Sequence, residues 1–204
     1  MASQGARVLQ TRAVEIAMKH QVRVQVLSSF GDTPGTLLVD EDEIVEQELV
    51  SGIAYSRDEA KITLVGVPDR PGVAAAIFGP LADANVNVDM IVQNVSADGA
   101  STDLTFTVAR ADLEPAIEAL ERINRDLEFK ALKSDRNVVK VSVIGVGMRS
   151  HAGVAKQMFQ ALADKGINIQ AISTSEIKIS VLIAEDYVEL ALRALHSAYG
   201  LDSR

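Results

Sequence analysis

Residues 61–94 read KITLVGVPDRPGVAAAIFGPLADANVNVDMIVQN, and residues 140–175 say nearly the same thing again, KVSVIGVGMRSHAGVAKQMFQALADKGINIQAISTS. Aligned on Gly72 and Gly153, the stretches share Val73/Val154, Ala74/Ala155, Phe78/Phe159, Leu81/Leu162, Ala82/Ala163, Asp83/Asp164 and Asn87/Asn168. A match of that length implies one architecture built twice. The offset between copies is 79 at Lys61/Lys140, 81 at the glycines and 75 at Leu120/Leu195. Length changes of that size belong in loops.

Working outward through the first copy, Lys61 to Val67 alternates as a strand, and DRPG makes a turn. Val73 to Asn85 follows as a helix with Ile77, Leu81 and Ala84 on one face. Val86 to Val95 is a strand, Asp98-Gly99 a hairpin turn, and Thr102 to Ala109 a third strand. Asp112 to Arg125 is a helix with Asp112 as its N-cap, and Glu128 to Lys133 is a fourth strand. The order is βαββαβ. The second copy runs Val139–Val146 (strand), Gly153–Lys165 (helix), Ile167–Thr174 and Ile177–Ala184 (strands) and Tyr187–Tyr199 (helix), then stops one strand short. Leu49 to Arg57 (LVSGIAYSR) is a strand with no obvious partner, so it is expected to complete the second unit, with the first unit inserted into it.

The fold class is therefore α+β. Two ferredoxin-like units are expected, each a four-stranded antiparallel sheet with helices on one face. The first spans 58–135, and the second combines 49–57 with 139–204. The open sheet edges are expected to pair side by side. Ahead of them, Arg7 to Lys19 has helical spacing, and Val22–Val26 and Thr36–Val39 are short strands flanking a Thr33-Pro34-Gly35 turn. The acidic run Asp40–Glu43 closes a separate segment, 1–43, and reads as a solvated linker rather than a cation site.

Composition narrows the function. Of 204 residues, 48% are apolar but only 4% aromatic, so Val, Ile, Leu and Ala must fill the interior. A net charge of −8 opposes a polyphosphate, which argues against nucleic acid as a partner. There is no Cys, hence no disulfide framework and no cysteine-based metal site. No apolar run reaches a membrane span's roughly 18 residues, and Met1 opens no signal peptide, which makes the cytoplasm the expected location. His20, His151 and His196 are scattered, and no phosphate-binding glycine loop occurs. No catalytic constellation is legible.

The chemistry gathers at Asp69-Arg70-Pro71-Gly72, between a strand and a helix. Gly72 lets the backbone approach a ligand, and the helix start, with Val73 and Ala74, offers unpaired N–H groups to a carboxylate. On the next strand Asn87, Asp89, Ile91 and Gln93 alternate, which places them on one face. Asp69 and Asp89 would hold an ammonium and Gln93 a small polar side chain, a set suited to a zwitterionic amino acid. A tight turn beside a solvent-facing strand is the plainer alternative. The second copy keeps the frame but loses both acidic positions: Met148-Arg149-Ser150-His151 occupies the loop, Gln170 replaces Asp89, and Thr174-Ser175-Glu176 follows the strand. Its pocket, around Met148, Ser150, Val154, Ser175 and Glu176, is expected to be weaker or different. Asn168 and Ile169 are expected to wall the first pocket.

The βαββαβ unit with its DRPG turn resembles the ACT domain, a small-molecule sensor of amino-acid metabolism. Taken together, VPDRPGVAA, NVDMIVQNVS, LTFTV, KVSVIGVGM, SHAGVA and NIQAISTSEIKISVLI resemble the regulatory end of the bacterial aspartokinases. Residues 1–39 are similar to the last helix and strand of that family's catalytic domain. The family's N-terminal nucleotide and aspartate signature is missing here, so the resemblance implies a chain that starts past the active site, as a β subunit or a truncation would. It implies no catalysis and no cofactor in this chain, with ATP and Mg belonging to a catalytic α subunit. It further implies a homodimer formed through the ACT units and feedback inhibition of aspartate phosphorylation, the first step toward lysine, threonine and methionine. Threonine is the implied effector, with lysine as a second, at Asp69, Gly72, Ala74 and Gln93 joined by Asn168 and Ile169. Ser96, Ala155 and Ser175 fall where family members affect feedback sensitivity. A free-standing sensor, or an assembly fragment that binds no effector alone, is the alternative.

Overall fold

The computed structural model describes residues 8–39, 50–96, 99–145 and 152–203. The acidic run 40–43, Asp98 and the stretch holding Met148, Ser150 and His151 lie outside the described residues. In chain order the elements are α1 (Thr11–Lys19), β1 (Val24–Val26), β2 (Thr36–Leu38), β3 (Gly52–Ser56), β4 (Ala60–Pro68), α2 (Val73–Asp83), β5 (Val88–Val95) and β6 (Ser101–Val108). There follow α3 (Leu113–Leu127), β7 (Ala131–Asp135), β8 (Val138–Ile144), α4 (Ala152–Ala163), β9 (Ile169–Thr174), β10 (Lys178–Ala184) and α5 (Val188–Ala198). β1 and β2 pair with each other. The remaining strands form two antiparallel sheets, ordered β5-β6-β4-β7 and β3-β8-β10-β9. β3 lies against β8 with Ile53 opposite Val143, so the strand ahead of the first unit completes the second. The first sheet is drawn wholly from residues 60–135, between β3 and β8 in the chain.

Period-two patterning builds both cores. In β4, Ile62 and Leu64 point to one side and meet Ile77 and Leu81 of α2 and Leu113, Ala116 and Leu120 of α3. In the second unit Val139, Val141 and Val143 of β8 and Val181 and Ile183 of β10 meet Met158 and Leu162 of α4 and Leu195 of α5. The two cores have no residue in common. Branched aliphatics fill them, with Phe106 edge-on to Phe78 at 5.3 Å as the main aromatic contact of the first.

Two local readings change. Asp112 does not cap α3: its backbone is already helical, no side-chain cap bond forms, and a 3₁₀ turn over Arg110–Asp112 leads into the helix. Asp58 supplies a carboxylate instead, accepting the Arg110 N–H at 3.0 Å. Second, β5 is not a regular ladder. Asp89 stands opposite Thr107 and Val92 opposite Thr105, three residues against two, with Met90 at φ 48°. This β-bulge reverses the alternation beyond it. Asn87, Asp89, Ile91 and Gln93 therefore do not share a face. Asp89 faces the side of the sheet away from the helices, whereas Gln93, opposite the core residue Leu104, stands on the helix side.

The units meet through those helix-free faces. Met90, Val138, Ala171 and Leu182 form a third apolar cluster, with Val92 against it. Expected edge-to-edge pairing is not seen within the chain: among the described residues the sheets remain separate, and β5 and β9, an edge strand of each, come together without a ladder. Polar groups surround the cluster. Arg110 Nη2 donates to the Val138 carbonyl at 3.3 Å and to Glu185 Oε2 at 2.6 Å, and Lys61 Nζ donates to Gln170 Oε1.

Candidate effector site

The 69–72 loop begins where β4 ends. Gly72 takes φ 90°, a left-handed conformation that leads into α2, and no side chain caps the helix or places an acid in its first turn. A Cβ built on Gly72 would meet nothing within 4 Å, so space lies open in front of the helix start. Asp69 and Ala74 are exposed beside it. The loop is braced from behind: the Asp69 N–H donates to the Ala100 carbonyl at 3.1 Å, and Arg70 Nη2 donates to the Asp126 carbonyl at 3.4 Å. Val73 is buried in the first core and its N–H donates to the Arg70 carbonyl at 3.3 Å, so, against expectation, it offers the site neither a side chain nor an unpaired N–H.

Strand register brings Gln93 to the same end. Thr102 of β6 lies opposite Val67 of β4 and Val95 of β5, and Leu104 lies opposite Leu64 and Gln93. The C-terminal ends of β4 and β5 thus leave the sheet at the same end, with exposed Gln93 on the helix side. Ser96 closes the neighbouring hairpin, its Oγ donating to the Ser101 carbonyl at 2.6 Å. The exposed N–H end of α2, the Asp69 carboxylate and the Gln93 amide together offer what a free amino acid requires.

Other expected members lie elsewhere. The ammonium that Asp89 holds is the protein's own, Lys140 Nζ at 2.8 Å, while its second oxygen accepts the Met90 N–H at 2.8 Å. Burial alone would raise that carboxyl, but the hydrogen bonds from Lys140 and Met90 outweigh it and hold Asp89 below its ordinary value. Burial alone would likewise lower Lys140, yet Asp89, and Glu59 at 2.5 Å, hold it above its ordinary value. Asn87 and Asn168 are exposed just ahead of β5 and β9. Gln170 touches Lys61 at the start of β4, and seven strand residues to Pro68 span about 23 Å. Since Ala171 joins Met90 and Val92 further along, Asn168 and Ile169 lie toward the end of the first sheet opposite the 69–72 loop. One chain does not bring them to Gln93.

In the second unit Val154 is buried in the core, and its carbonyl accepts the Tyr199 hydroxyl at 2.7 Å. Burial pushes that phenol up to about 12. Ala155 packs against the same core. The Ser175 N–H donates to the Lys178 carbonyl at 2.8 Å, its hydroxyl is buried without a partner among the described residues, and Glu176 is exposed. No group of His, Cys, Asp and Glu among the described residues would hold a metal ion, and no described helix is long and apolar enough to cross a membrane.

Residues 61–125 and 141–199 each match an ACT-domain family, one on each sheet. A crystal structure of aspartokinase alpha and beta subunits includes a chain 51% identical, covering 74% of this chain and 99% of that one, with a TM-score of 0.70. The chain belongs to the aspartokinase family. Its two ACT domains are the C-terminal regulatory region of that family. The ligand-free regulatory subunit of Thermus thermophilus aspartate kinase is similar over the same shares of both chains, at 41% identity and TM-score 0.71. Pseudomonas aeruginosa aspartokinase is 58% identical over 205 residues, covering all of this chain and 50% of its own length. The chain thus spans about half the length of the curated aspartokinases it matches.

Residue types did not reveal the contacts between units. Lys140 is the single charge in VVKVSVI, a strand buried at every position, and that incongruity is a usable signal. Glu59, Arg110 and the Met90 bulge carry no comparable mark.

Proposed function

We propose that this chain is the feedback sensor of an aspartokinase: it binds threonine, with lysine as the second candidate effector, and passes occupancy to a catalytic half that phosphorylates the aspartate β-carboxylate. The observation that carries the reading is the open, uncapped start of α2 at the same end, and on the same side, of the first sheet as Gln93. The effector carboxylate would take the amides of that first turn, the ammonium would take Asp69, and Gln93 would bond the threonine hydroxyl. Asp89 drops out of the contact set because Lys140 holds it. ATP and Mg would belong to the catalytic half, and the setting is the cytoplasm.

Since Asn168 and Ile169 of one chain lie toward the other end of the sheet, the wall they form would come from a second copy. The proposed effector-competent species is a homodimer joined through its ACT domains, and it would also associate with a catalytic α subunit. A solved structure of aspartokinase alpha and beta subunits supports that partnership. Residues 8–39, with exposed Ile16, Met18, Leu27 and Phe30, would be the end of the kinase domain. An effector shifts activity only through tighter binding to one packing of the ACT domains than to another.

Calorimetric titration of threonine and lysine into the purified chain, separately and together, tests this. Threonine binding is expected, and Gln93→Ala and Asp69→Ala are each expected to weaken it about tenfold, the value of one hydrogen bond to a charged or well-placed partner. Unchanged affinity in both variants would remove the pocket assignment. Absence of binding with either amino acid would remove the sensor reading and leave an assembly role.

A further inference from the structure

The Met90 bulge decides which way Gln93 faces, and what secures the bulge comes largely from the other ACT domain. Were β5 to continue from Asp89 as a regular ladder, Ile91 would stand opposite Thr105 and Gln93 opposite Asp103. The Gln93 amide would then lie on the helix-free face, away from α2. In the structure Gln93 is opposite Leu104, displaced by the extra residue. Met90 adopts a left-handed backbone that side-chain-bearing residues take seldom, so the bulge needs support.

Three contacts provide it. The first oxygen of Asp89 accepts the Met90 N–H at 2.8 Å, fixing the bulged peptide. The second accepts Lys140 Nζ at 2.8 Å, which anchors Asp89 to β8 of the second domain. The Met90 side chain, 3% exposed, is clasped by Val138, Ala171 and Leu182, all of the second domain. Lys140 is itself 7% exposed and tied to Glu59, in the short link between β3 and β4. Lys140 has few alternative placements, because leaving Glu59 would strand two buried charges, and from that fixed position its ammonium reaches the half-exposed Asp89 carboxylate.

We propose that Lys140 of the second ACT domain is a positioning residue for effector binding in the first: it holds Asp89, Asp89 holds the β5 bulge, and the bulge keeps Gln93 on the side of the α2 start. The functional part of this inference rests on the effector site proposed above. The packing of the two domains and the orientation of Gln93 then form one equilibrium. An effector that requires Gln93 on the helix side strengthens the interdomain contact, and a change that loosens the contact weakens the effector by the same factor.

NMR of the intact, isotopically labelled chain reads the register directly, without ligand, from backbone contacts between β5 and β6. Gln93 is expected opposite Leu104 in the unaltered protein. In Lys140→Met, contacts from Gln93 to Asp103 are expected to appear, with threonine affinity falling about tenfold, within the usual range of coupling between sites. Lys140→Arg, which retains a cation for Asp89 and Glu59, is expected to restore both. A folded Lys140→Met chain with Gln93 still opposite Leu104 would overturn the proposal. Should that variant fail to fold, Asp89→Asn decides the matter. It keeps an oxygen for the Met90 N–H but loses the charge that holds Lys140, so a second set of Gln93–Asp103 contacts is expected, and an unchanged register again overturns the proposal. Because the register is read without effector, failure of the unaltered chain to bind threonine counts against the effector site alone.

Discussion

Gly72→Ala and Gly166→Ala form a matched pair of perturbations that separates fold from function. Gly72 has φ 90° and Gly166 φ 68°, both in the left-handed region, and a Cβ on either would meet nothing within 4 Å. Steric clash is therefore absent at both, and the cost is backbone strain. An L residue in that region costs about 1–2 kcal/mol, and stiffening the unfolded chain returns about 0.4–1 kcal/mol. The net loss is about 1 kcal/mol at each position, or roughly 4–8 °C in Tm for a domain of 60–100 residues. In stability the two variants should look alike. In binding they should not, because the open space at Gly72 is where an effector carboxylate would approach the amides of α2, whereas Gly166 follows α4 in the other domain. Threonine affinity by calorimetry is expected to fall at least about tenfold in Gly72→Ala, since a methyl group in a close-fitting site costs more than 1 kcal/mol, and to stay unchanged in Gly166→Ala. Equal affinities in the two variants would refute the reasoning.

Two more predictions concern the scaffold. Asp89 is held below its ordinary value of 3.8, so its interaction stabilises the fold above that pH and is lost as pH falls through the lowered folded value. The difference in urea midpoint between the unaltered chain and Asp89→Asn should be constant from about pH 5 to 9 and close below about pH 3.8, whereas a gap that persists in acid contradicts the charge pairing. Phe106 is fully buried in the first core only, and Phe106→Ala should cost about 3–5 kcal/mol there. All three tyrosines belong to the second domain, Tyr55 in β3 and Tyr187 and Tyr199 at the two ends of α5. Tyrosine fluorescence should thus unfold at a much higher denaturant concentration than the first far-UV dichroism step, and coincident transitions would show that the domains fold as one.

The duplicated sequence makes the duplicated fold legible, because the spacing of Val73, Ile77 and Leu81 and the alternation of Val139, Val141 and Val143 follow from burial on one face. The orphan strand around Ile53 was legible for a related reason: a βαββα string leaves one edge of its sheet short. The DRPG loop could be read too, since proline and glycine restrict backbone conformation locally. What escaped was set at longer range. A bulge conserves the residue pattern while reversing the faces, so the alternation puts Asp89 and Gln93 on one face although the Met90 bulge turns them to opposite sides. Lys140 and Glu59 are 81 positions apart and meet only once two helix-free faces come together. The edge-to-edge picture failed within the chain for the same reason: alternation tells which face is apolar but not which partner covers the polar one.

The central claim is that an amino-acid effector sits at the start of α2 beside Gln93, completed by a second copy of the chain. A crystal structure of the chain grown in excess threonine tests it most directly. The account predicts threonine with its carboxylate on the first-turn amides after Gly72, its ammonium at Asp69 and its hydroxyl at Gln93, with Asn168 and Ile169 of a second copy closing the site. Threonine seated elsewhere on an ordered dimer, or that end of the first sheet empty at saturating concentration, would contradict it.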